Sequence, residues 1–297
     1  MSSDDFLQKT IVEPTVIATS SNGIVKTTGK GRKRSKNQSL GNAAKKTKFN
    51  RKNFENEAKI NVETGLNNAF AEMDSQLLAD YVAQRTRNYE SDLSVIELED
   101  KYISASSIID TLSWQKPRNL ENLPSFLERY SGDVKNLWAA SNKNGAPHTI
   151  IIACAGLRAS EIARSIRKYP KEEAKVAKLF AKHIKLQDAI KFLNSYRTGI
   201  AVGTPQRIVD LINDGGKKLN SFPFFNSDFN GANFIQIGAL RIDHLKRIVI
   251  DASHIDKKKR GILEMKETQV PLIKLLGLKE LRDRYFAETD KINLLFF

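Results

Sequence analysis

An aspartate at the end of an apolar segment is the residue of this chain that most clearly suggests chemistry. The segment runs from Lys246 to Ile250, and Asp251 follows it directly. In nucleotide-hydrolysing proteins an aspartate at such a strand end holds Mg²⁺, and another residue positions the attacking water. Here the next residue is Ala252, whose methyl group can neither accept a proton nor orient water. The segment therefore predicts the fold of a nucleotide-hydrolysing protein without its chemistry.

No segment of the sequence matches a loop that cradles nucleotide phosphates. Such a loop needs two glycines with four residues between them, followed by Lys and then Ser or Thr. The nearest match, Gly23 to Gly31, has one residue too many between its glycines and ends in glycine. The single cysteine, Cys154, lies in an apolar segment and is expected to be a buried structural thiol. We therefore predict no catalytic residue, no cofactor and no metal site.

Apolar segments alternate with helical stretches after Gly145, and this pattern predicts a layered α/β fold. The segments are continuous rather than alternating, which indicates strands buried on both faces of a parallel sheet, with helices on either side. The predicted strands span residues 149–154, 175–180, 199–202, 246–250 and 291–297. The segment 175–180 also fits the end of a helix. Functional loops are expected at the carboxyl ends of the strands.

The N-terminal part of the chain differs in composition from the rest. Between Lys30 and Lys52 there are ten Lys or Arg and no acid, so residues 1–58 are predicted to form a disordered basic tail. We expect its two clusters to act in nuclear import and to bind phosphates nonspecifically, a merely solvated tail being the alternative. A helical extension is predicted over 59–120, with an amphipathic helix over 64–85. The cluster residues are Arg32, Lys33, Arg34, Lys36, Lys45, Lys46, Lys48, Arg51 and Lys52.

Two predicted strands are followed by residues that could bind phosphates. Thr204 stands where a helix N-cap would lie and Pro205 at the first helical position, so free backbone N–H groups favour an anion. Arg207 falls in the first turn of that helix, and Arg158 begins the helix after the first strand in the same way. Structural or solvated arginines are the alternative. The phenylalanine-rich insertion 215–238 is expected to pack or to contact a protein, stacking of unpaired bases being the alternative.

The order of these sequences resembles that of the motifs of DEAD-box and DExH helicases. Residues 155–163 are similar to motif Ia, Thr204-Pro-Gln-Arg207 to motif Ib, and Asp251-Ala252-Ser253-His254 to a degenerate motif II. The resemblance covers about residues 120–297. It implies an α/β fold: one degenerate RecA-like domain of the DEAD-box N-terminal type over 121–297, with a doubly wound parallel sheet.

The helicase resemblance also implies an RNA-binding surface. Arg158, Thr204 and Arg207 match positions at which helicases bind the sugar–phosphate backbone. The family's Gly-Gly motif is not evident, and Lys182 and Lys185 stand in its neighbourhood, where they could supply charge instead.

A smaller eukaryotic family is similar over about residues 90–297. The similarity lies in Val95-Ile-Glu-Leu-Glu-Asp-Lys-Tyr102, Leu123-Pro-Ser-Phe-Leu127 and Val202-Gly-Thr-Pro-Gln-Arg207. These segments resemble the CMS-type ribosomal small-subunit protein family, DEAD-box-helicase-like subunits of the early 90S small-subunit pre-ribosome. The resemblance implies a non-catalytic ribosome-biogenesis factor in the nucleus and nucleolus, with pre-ribosomal RNA and proteins of the particle as partners.

Two other functions stay open from the sequence. One is an RNA-dependent ATPase or helicase half that acts with a partner, and the other is a pure protein-interaction adaptor. We expect no membrane partner, because no apolar stretch approaches the roughly 20 residues that span a bilayer. We also expect a monomer outside the particle.

Overall fold

The structure is a computed structural model that describes residues 59–170, 174–181, 184–213 and 238–297. The basic clusters between Arg32 and Lys52, Lys182 and residues 215–237 of the phenylalanine-rich insertion lie outside the described residues. The described residues belong to one compact unit.

An antiparallel hairpin begins the described residues, with strands β1 (Ile60–Asn61) and β2 (Leu66–Asn67). The amphipathic helix predicted over 64–85 is α1, and it spans Ser75–Tyr89 instead. It begins late because Gly65 adopts a positive φ of 66° in the hairpin turn. Asp74 then caps α1, its side chain accepting a hydrogen bond of 2.7 Å from the Leu77 N–H. Three short helices follow: α2 (Val95–Glu99), α3 (Leu123–Arg129) and α4 (Val134–Leu137).

Five parallel strands form the central sheet of the described residues: β3 (Thr149–Ile152), β4 (Ala177–Leu179), β5 (Ile200–Gly203), β6 (Arg247–Ile250) and β7 (Asn293–Phe296). Their order in the sheet is β4-β5-β3-β6-β7. Every residue of β3, β5 and β6 is buried, which is why these segments are continuously apolar in the sequence. The predicted α/β fold with a parallel sheet is confirmed, and 175–180 contains a strand.

Helices pack on both faces of this sheet. They include α5 (Gly156–Ile166), α6 (Leu186–Ser195), α7 (Pro205–Asn213), α8 (Lys266–Leu276) and α9 (Lys279–Tyr285). Ile150 and Ile152 face one buried cluster, which holds apolar residues of α1, α6, α7, α8 and α9. Ile151, between them, faces a second cluster with residues of α3, α4 and α5. The alternation along β3 therefore gives three layers around the sheet.

The outer edge of β7 is covered by residues that precede the sheet in sequence. Ile108 forms an isolated parallel bridge with Leu294, and the Ile109 N–H donates to the Leu294 carbonyl at 2.8 Å. The guanidinium of Arg118, which is 2% exposed, donates to the Phe296 carbonyl and to the Thr111 hydroxyl. Burial lowers the pKa of Arg118 to about 10. Ile108, Thr111 and Arg118 are thus buried against the β7 edge of the sheet.

The amino ends of β3 and β6 hold a cationic and a neutral side chain close together. Arg247, 8% exposed, donates to the Thr149 hydroxyl at 3.1 Å and to the Ser131 carbonyl at 2.8 Å. Burial lowers its pKa below the ordinary arginine value. The partly buried His148 lies 2.9 Å from the same hydroxyl, and burial followed by the charge of Arg247 lowers its pKa to about 4. His148 is therefore neutral near pH 7.

Candidate functional site

Asp251 forms a buried ion pair at the carboxyl end of β6. Its two carboxylate oxygens accept hydrogen bonds from Nε of Arg158 at 2.8 Å and from Nη2 at 3.1 Å. Asp251 is 1% exposed and Arg158 is 7% exposed. Both oxygens that would bind a metal in a nucleotide site are thus occupied by a guanidinium with bidentate geometry.

Strand order explains how the two partners meet. β3 lies beside β6 in parallel register, with Ile152 opposite Ile250, so Arg158 in the first turn of α5 comes next to Asp251. Burial opposes the charge of Arg158, but the charge and hydrogen bonds of Asp251 outweigh it and raise the pKa of Arg158. Glu161, on the same helix, forms a second and longer ion pair with Arg158 at 3.7 Å, so the guanidinium is held between two carboxylates.

Ala252 and Ser253 of the degenerate motif II are also buried. Ala252 is fully buried and Ser253 is 2% exposed. Backbone N–H groups of both residues donate to the Phe297 carbonyl at 2.8 Å. The Ser253 hydroxyl has no hydrogen-bond partner in the described part of the chain. These residues attach the strand end to the sheet and present no reactive group.

The N-terminal hairpin covers this strand end. Its β2 residue Leu66 forms an antiparallel bridge with His254, and the Asn67 N–H donates to the Ser253 carbonyl at 2.7 Å. The Ile255 N–H donates to the Gly65 carbonyl at 3.0 Å. Burial, and then the charge of Arg158, lowers the pKa of His254. The backbone of His254 therefore joins this strand end to the hairpin.

Cys154 lies near the same ion pair. The thiol is buried, as the sequence predicts. Burial, and next the charge of Asp251, raises its pKa to about 12. The thiol is therefore protonated at neutral pH and unsuited to nucleophilic chemistry.

Arg207 and Lys185 lie together at the carboxyl side of β5. Thr204 follows this strand, and its N–H donates to the Leu179 carbonyl at 3.1 Å, while Pro205 begins α7. Nη1 of Arg207 donates to the Ile184 carbonyl at 3.2 Å, which places the guanidinium beside Lys185. Arg207 is partly exposed and Lys185 exposed, and neither forms an ion pair within the described ranges. The structure thus brings these two predicted residues together, whereas Arg158, which follows the neighbouring strand β3, is buried.

A basic loop that the sequence analysis did not single out follows the motif II position. Lys257, Lys258, Lys259 and Arg260 are all exposed. Asp256 holds the loop, because it accepts the N–H groups of Lys258 at 2.8 Å and Arg260 at 2.9 Å and pairs with the Arg260 side chain. Lys259 adopts a positive φ of 60°. The three lysines form no ion pair within the part of the chain that the structure describes. Four consecutive cations after a strand end were the signal available in the sequence.

These exposed cations all follow the carboxyl ends of strands of the central sheet: Lys185 follows β4, Arg207 follows β5 and the basic loop follows β6. β5 and β6 are both neighbours of β3, so their carboxyl ends lie about 10 Å apart, at two strand spacings. We call Lys185, Arg207, Lys257, Lys258 and Lys259 the basic edge. Its charges are free to meet an external anion, whereas the charge of Arg158 is neutralised internally.

The described residues contain no convergent set of three or more His, Cys, Asp or Glu side chains that could hold a metal ion. In the same ranges, no helix combines the length and the apolar composition needed to cross a bilayer. For the whole chain, the absence of a metal site and of a membrane partner stays a prediction.

Comparison with known proteins decides the family. The family model described as CMS1, a U3-containing 90S pre-ribosomal complex subunit, matches residues 25–223 and 232–297. The chain belongs to this family. Protein CMS1 of Chaetomium thermophilum is 50% identical over 253 residues, which are 85% of this chain and 92% of that protein.

Two more distant relatives extend the family across eukaryotes. Protein cms1 of Schizosaccharomyces pombe is 29% identical over 218 residues, or 73% of this chain and 67% of the relative. Human Protein CMSS1 is 30% identical over 181 residues, 60% of this chain and 58% of the relative. The predicted CMS-type family is confirmed, and with it a link to the 90S pre-ribosome and ribosome biogenesis. The helicase-like ancestry of the domain stays a prediction.

Proposed function

We propose that this chain is a non-catalytic assembly factor of the 90S pre-ribosome that binds pre-ribosomal RNA through its basic edge. The observation that carries the proposal is the contrast at the carboxyl ends of the strands. There, Asp251 is neutralised by Arg158, while Lys185, Arg207 and the loop 257–260 expose positive charge. Membership of a 90S pre-ribosomal family supports pre-ribosomal RNA as the anion.

The absence of catalysis is argued from the ion pair. A magnesium ion at Asp251 would have to displace Arg158, which is buried and would keep only its longer ion pair with Glu161. Breaking a buried pair in this way costs about 3–5 kcal/mol. Ala252 offers no group to orient water in any case. The site is therefore built to hold the fold together rather than to bind a nucleotide.

The RNA contact is argued from the unpaired lysines. Cations that neutralise phosphates give an affinity that depends on salt and carries little sequence preference. In this proposal Arg158 positions the start of α5 against β6, since an RNA contact of its own would require breaking the pair with Asp251. Arg207, Lys185 and the basic loop make the contacts instead, with the Thr204 segment beside them.

The N-terminal basic clusters complete the proposal. Residues 30–52, which lie outside the described residues, add nonspecific phosphate affinity and direct the chain to the nucleus and nucleolus. Proteins of the particle are the other partners, and the chain is a monomer outside it.

Neutralising the basic loop tests the RNA contact. In the full chain, Lys257→Ala/Lys258→Ala/Lys259→Ala should weaken the binding of a pre-ribosomal RNA fragment about tenfold or more at physiological salt. The salt dependence of log K should also flatten by about 2 units, since each phosphate contact contributes about 0.7 to the slope. Filter binding over a salt series measures both quantities.

A matched triple variant serves as the control. Lys135→Ala/Lys274→Ala/Lys279→Ala removes the same charge from exposed lysines of α4, α8 and α9. It should change RNA affinity by no more than about twofold. An equal loss in both variants would show that only net charge matters, and the proposed edge would be wrong.

The enzymatic alternative makes a different prediction. An ATPase half would hydrolyse ATP on adding RNA and would lose this activity in Asp251→Asn. We expect no RNA-stimulated phosphate release from the full chain, measured with and without 90S particles. Release that depends on Asp251 would overturn the non-catalytic assignment.

A further inference from the structure

Two adjacent apolar residues lie exposed on α2. Ile96 is 74% exposed and Val95 is 66% exposed, and the next most exposed large hydrophobic residue in the described ranges is Phe286 at 65%. Isoleucine and valine are among the residue types most often buried in folded proteins. A single exposed apolar side chain is ordinary, but two at neighbouring positions need an explanation.

The exposure does not come from a poorly formed helix. Ser94 and Glu97 form a capping box at the start of α2: the Glu97 N–H donates to the Ser94 hydroxyl at 3.3 Å, and the Ser94 N–H donates to the Glu97 carboxylate at 2.8 Å. Leu98 is 5% exposed and anchors the helix to the core. The helix therefore holds Val95 and Ile96 outward in a fixed orientation.

Phe286 joins this surface through a contact between α2 and α9. Nη1 of Arg282 in α9 donates to the Asp100 carbonyl at 2.6 Å. Ile96 lies one helical turn before Asp100, whose N–H donates to the Ile96 carbonyl at 3.1 Å. Phe286 directly follows α9, four residues after Arg282. The three most exposed large hydrophobic residues of the described ranges thus belong to two segments that this hydrogen bond joins, and we call Val95, Ile96 and Phe286 the apolar patch.

Negative charge predominates along the α2 part of the patch, and the cations Lys101 and Arg282 lie at its carboxyl end. The stretch 92–100 contains four exposed carboxylates and no Lys or Arg, in a chain whose net charge is +14. These carboxylates belong to Asp92, Glu97, Glu99 and Asp100. Such a surface repels RNA phosphates and attracts cationic side chains. The charge therefore argues against RNA as the occupant and for a basic protein segment.

We propose that the apolar patch, with its acidic flank, docks a segment of another protein in which Lys or Arg residues stand beside apolar side chains. The apolar side chains cover Val95, Ile96 and Phe286, and the cations meet the carboxylates of 92–100. This inference names the chemistry of one protein partner within the proposed function, and it does not depend on RNA binding at the basic edge, which has the opposite charge.

Site-specific crosslinking within the native particle identifies the occupant. A photoreactive benzoylphenylalanine replaces Ile96 in the full chain, and replaces Val134, a 45% exposed residue of α4, in a control. After irradiation of purified 90S particles, we expect position 96 to crosslink to a Lys- or Arg-rich peptide of another protein, and position 134 not to do so. Crosslinks from position 96 to RNA, to residues 1–58 of the same chain or to no partner would overturn the proposal.

A defined probe tests the chemistry with purified protein. A fluorescent amphipathic peptide of Lys and Leu should bind the full chain, and Val95→Ser/Ile96→Ser should weaken its binding about tenfold, as expected for central apolar contacts. Asp92→Asn/Glu99→Gln should weaken it about threefold and reduce its salt dependence. Val134→Ser should leave it unchanged. Because all these side chains are exposed, the variants should keep the fold, which circular dichroism checks.

Measuring RNA binding and peptide binding for both sets of variants distinguishes the basic edge from the apolar patch. Val95→Ser/Ile96→Ser should leave RNA affinity unchanged, and the triple lysine variant of the basic loop should leave peptide affinity unchanged or higher. Peptide binding that is insensitive to Val95→Ser/Ile96→Ser would overturn the docking proposal, whatever the RNA result. Loss of RNA binding in those same variants would likewise contradict it.

Discussion

Both ends of the sheet contain a buried arginine, but the two arginines are stabilised in different ways. At the amino end, Arg247 donates to a hydroxyl and a carbonyl, and burial lowers its pKa. At the carboxyl end, Arg158 donates to both oxygens of Asp251, and its pKa is raised. One cation is therefore held by neutral dipoles and the other by a full opposite charge.

The difference distinguishes charge that is buried inside this fold from charge that is exposed on its surface. At the amino end, the charge of Arg247 is confined to the interior, and burial followed by this charge lowers the pKa of His148. At the carboxyl end, the internal charge is cancelled, so that the exposed lysines of the loop 257–260 determine the field outside. The following variants disturb one end at a time.

The largest effect is expected at the carboxyl end. Asp251→Ala leaves the buried Arg158 with only its longer ion pair to Glu161, at 3.7 Å, and should lower the free energy of unfolding by about 3 kcal/mol. Chemical denaturation measures the change. The control is Asp243→Ala, because Asp243 is 40% exposed in its ion pairs with Lys143 and Arg241. That variant should lose less than about 1 kcal/mol.

Removing both charges of the pair sharpens this test. Arg158→Leu/Asp251→Leu should be more stable than Asp251→Ala, because no unpaired charge remains buried. A double variant as unstable as the single one would show that the side-chain shapes, rather than their charges, stabilise this end.

The second effect belongs to the amino end and depends on pH. The pKa of His148 is about 4 in the folded chain against 6.5 ordinarily, so the unfolded chain binds the proton more tightly. The part of the free energy of unfolding that comes from burying neutral His148 is complete above pH 6.5 and is lost as the pH falls towards 4. Between pH 7 and pH 5 the free energy of unfolding should fall by about 2 kcal/mol on this account. Denaturation of His148→Gln should show a smaller fall; an equal fall would assign the pH dependence to other groups.

The smallest effect is expected in the basic loop. Asp256→Ala removes two backbone hydrogen bonds and the pair with Arg260, and should cost about 1–2 kcal/mol. RNA affinity should fall only about two- to threefold, since the lysines remain but are less ordered. A fall as large as that of the triple lysine variant would mean that loop geometry outweighs its charge. Filter binding at one salt concentration decides between the two.

The sheet was predictable because its strands are buried on both faces. Continuous apolar segments such as Thr149–Ile152 and Arg247–Ile250 carry that information locally. The start of α1 was not predictable from apolar spacing, because the positive φ of Gly65 and the cap at Asp74 override the periodicity of the preceding residues. Backbone conformation and capping depend on one or two residues. The spacing of apolar residues at three and four positions therefore carries no information about them.

The individual residues of the site were predictable from the sequence, but the ion pair between them was not. Asp251 and Arg158 were both placed at strand ends, yet they lie 93 residues apart in sequence. Their contact requires β3 and β6 to be neighbours, which is a property of sheet order. The lysines of the loop 257–260 carried a local signal, four cations after a strand, but they lie just outside the helicase-like motif.

The bridge between Ile108 and Leu294 has a consequence for self-association. An uncovered outer strand offers its N–H and C=O groups to any other extended chain, and β7 contains the apolar run Asn293-Leu-Leu-Phe296. By accepting the Ile109 N–H, the Leu294 carbonyl is already engaged within the molecule. The residues around Ile108 thus hinder the addition of a strand from another copy of this chain at the β7 edge of the sheet.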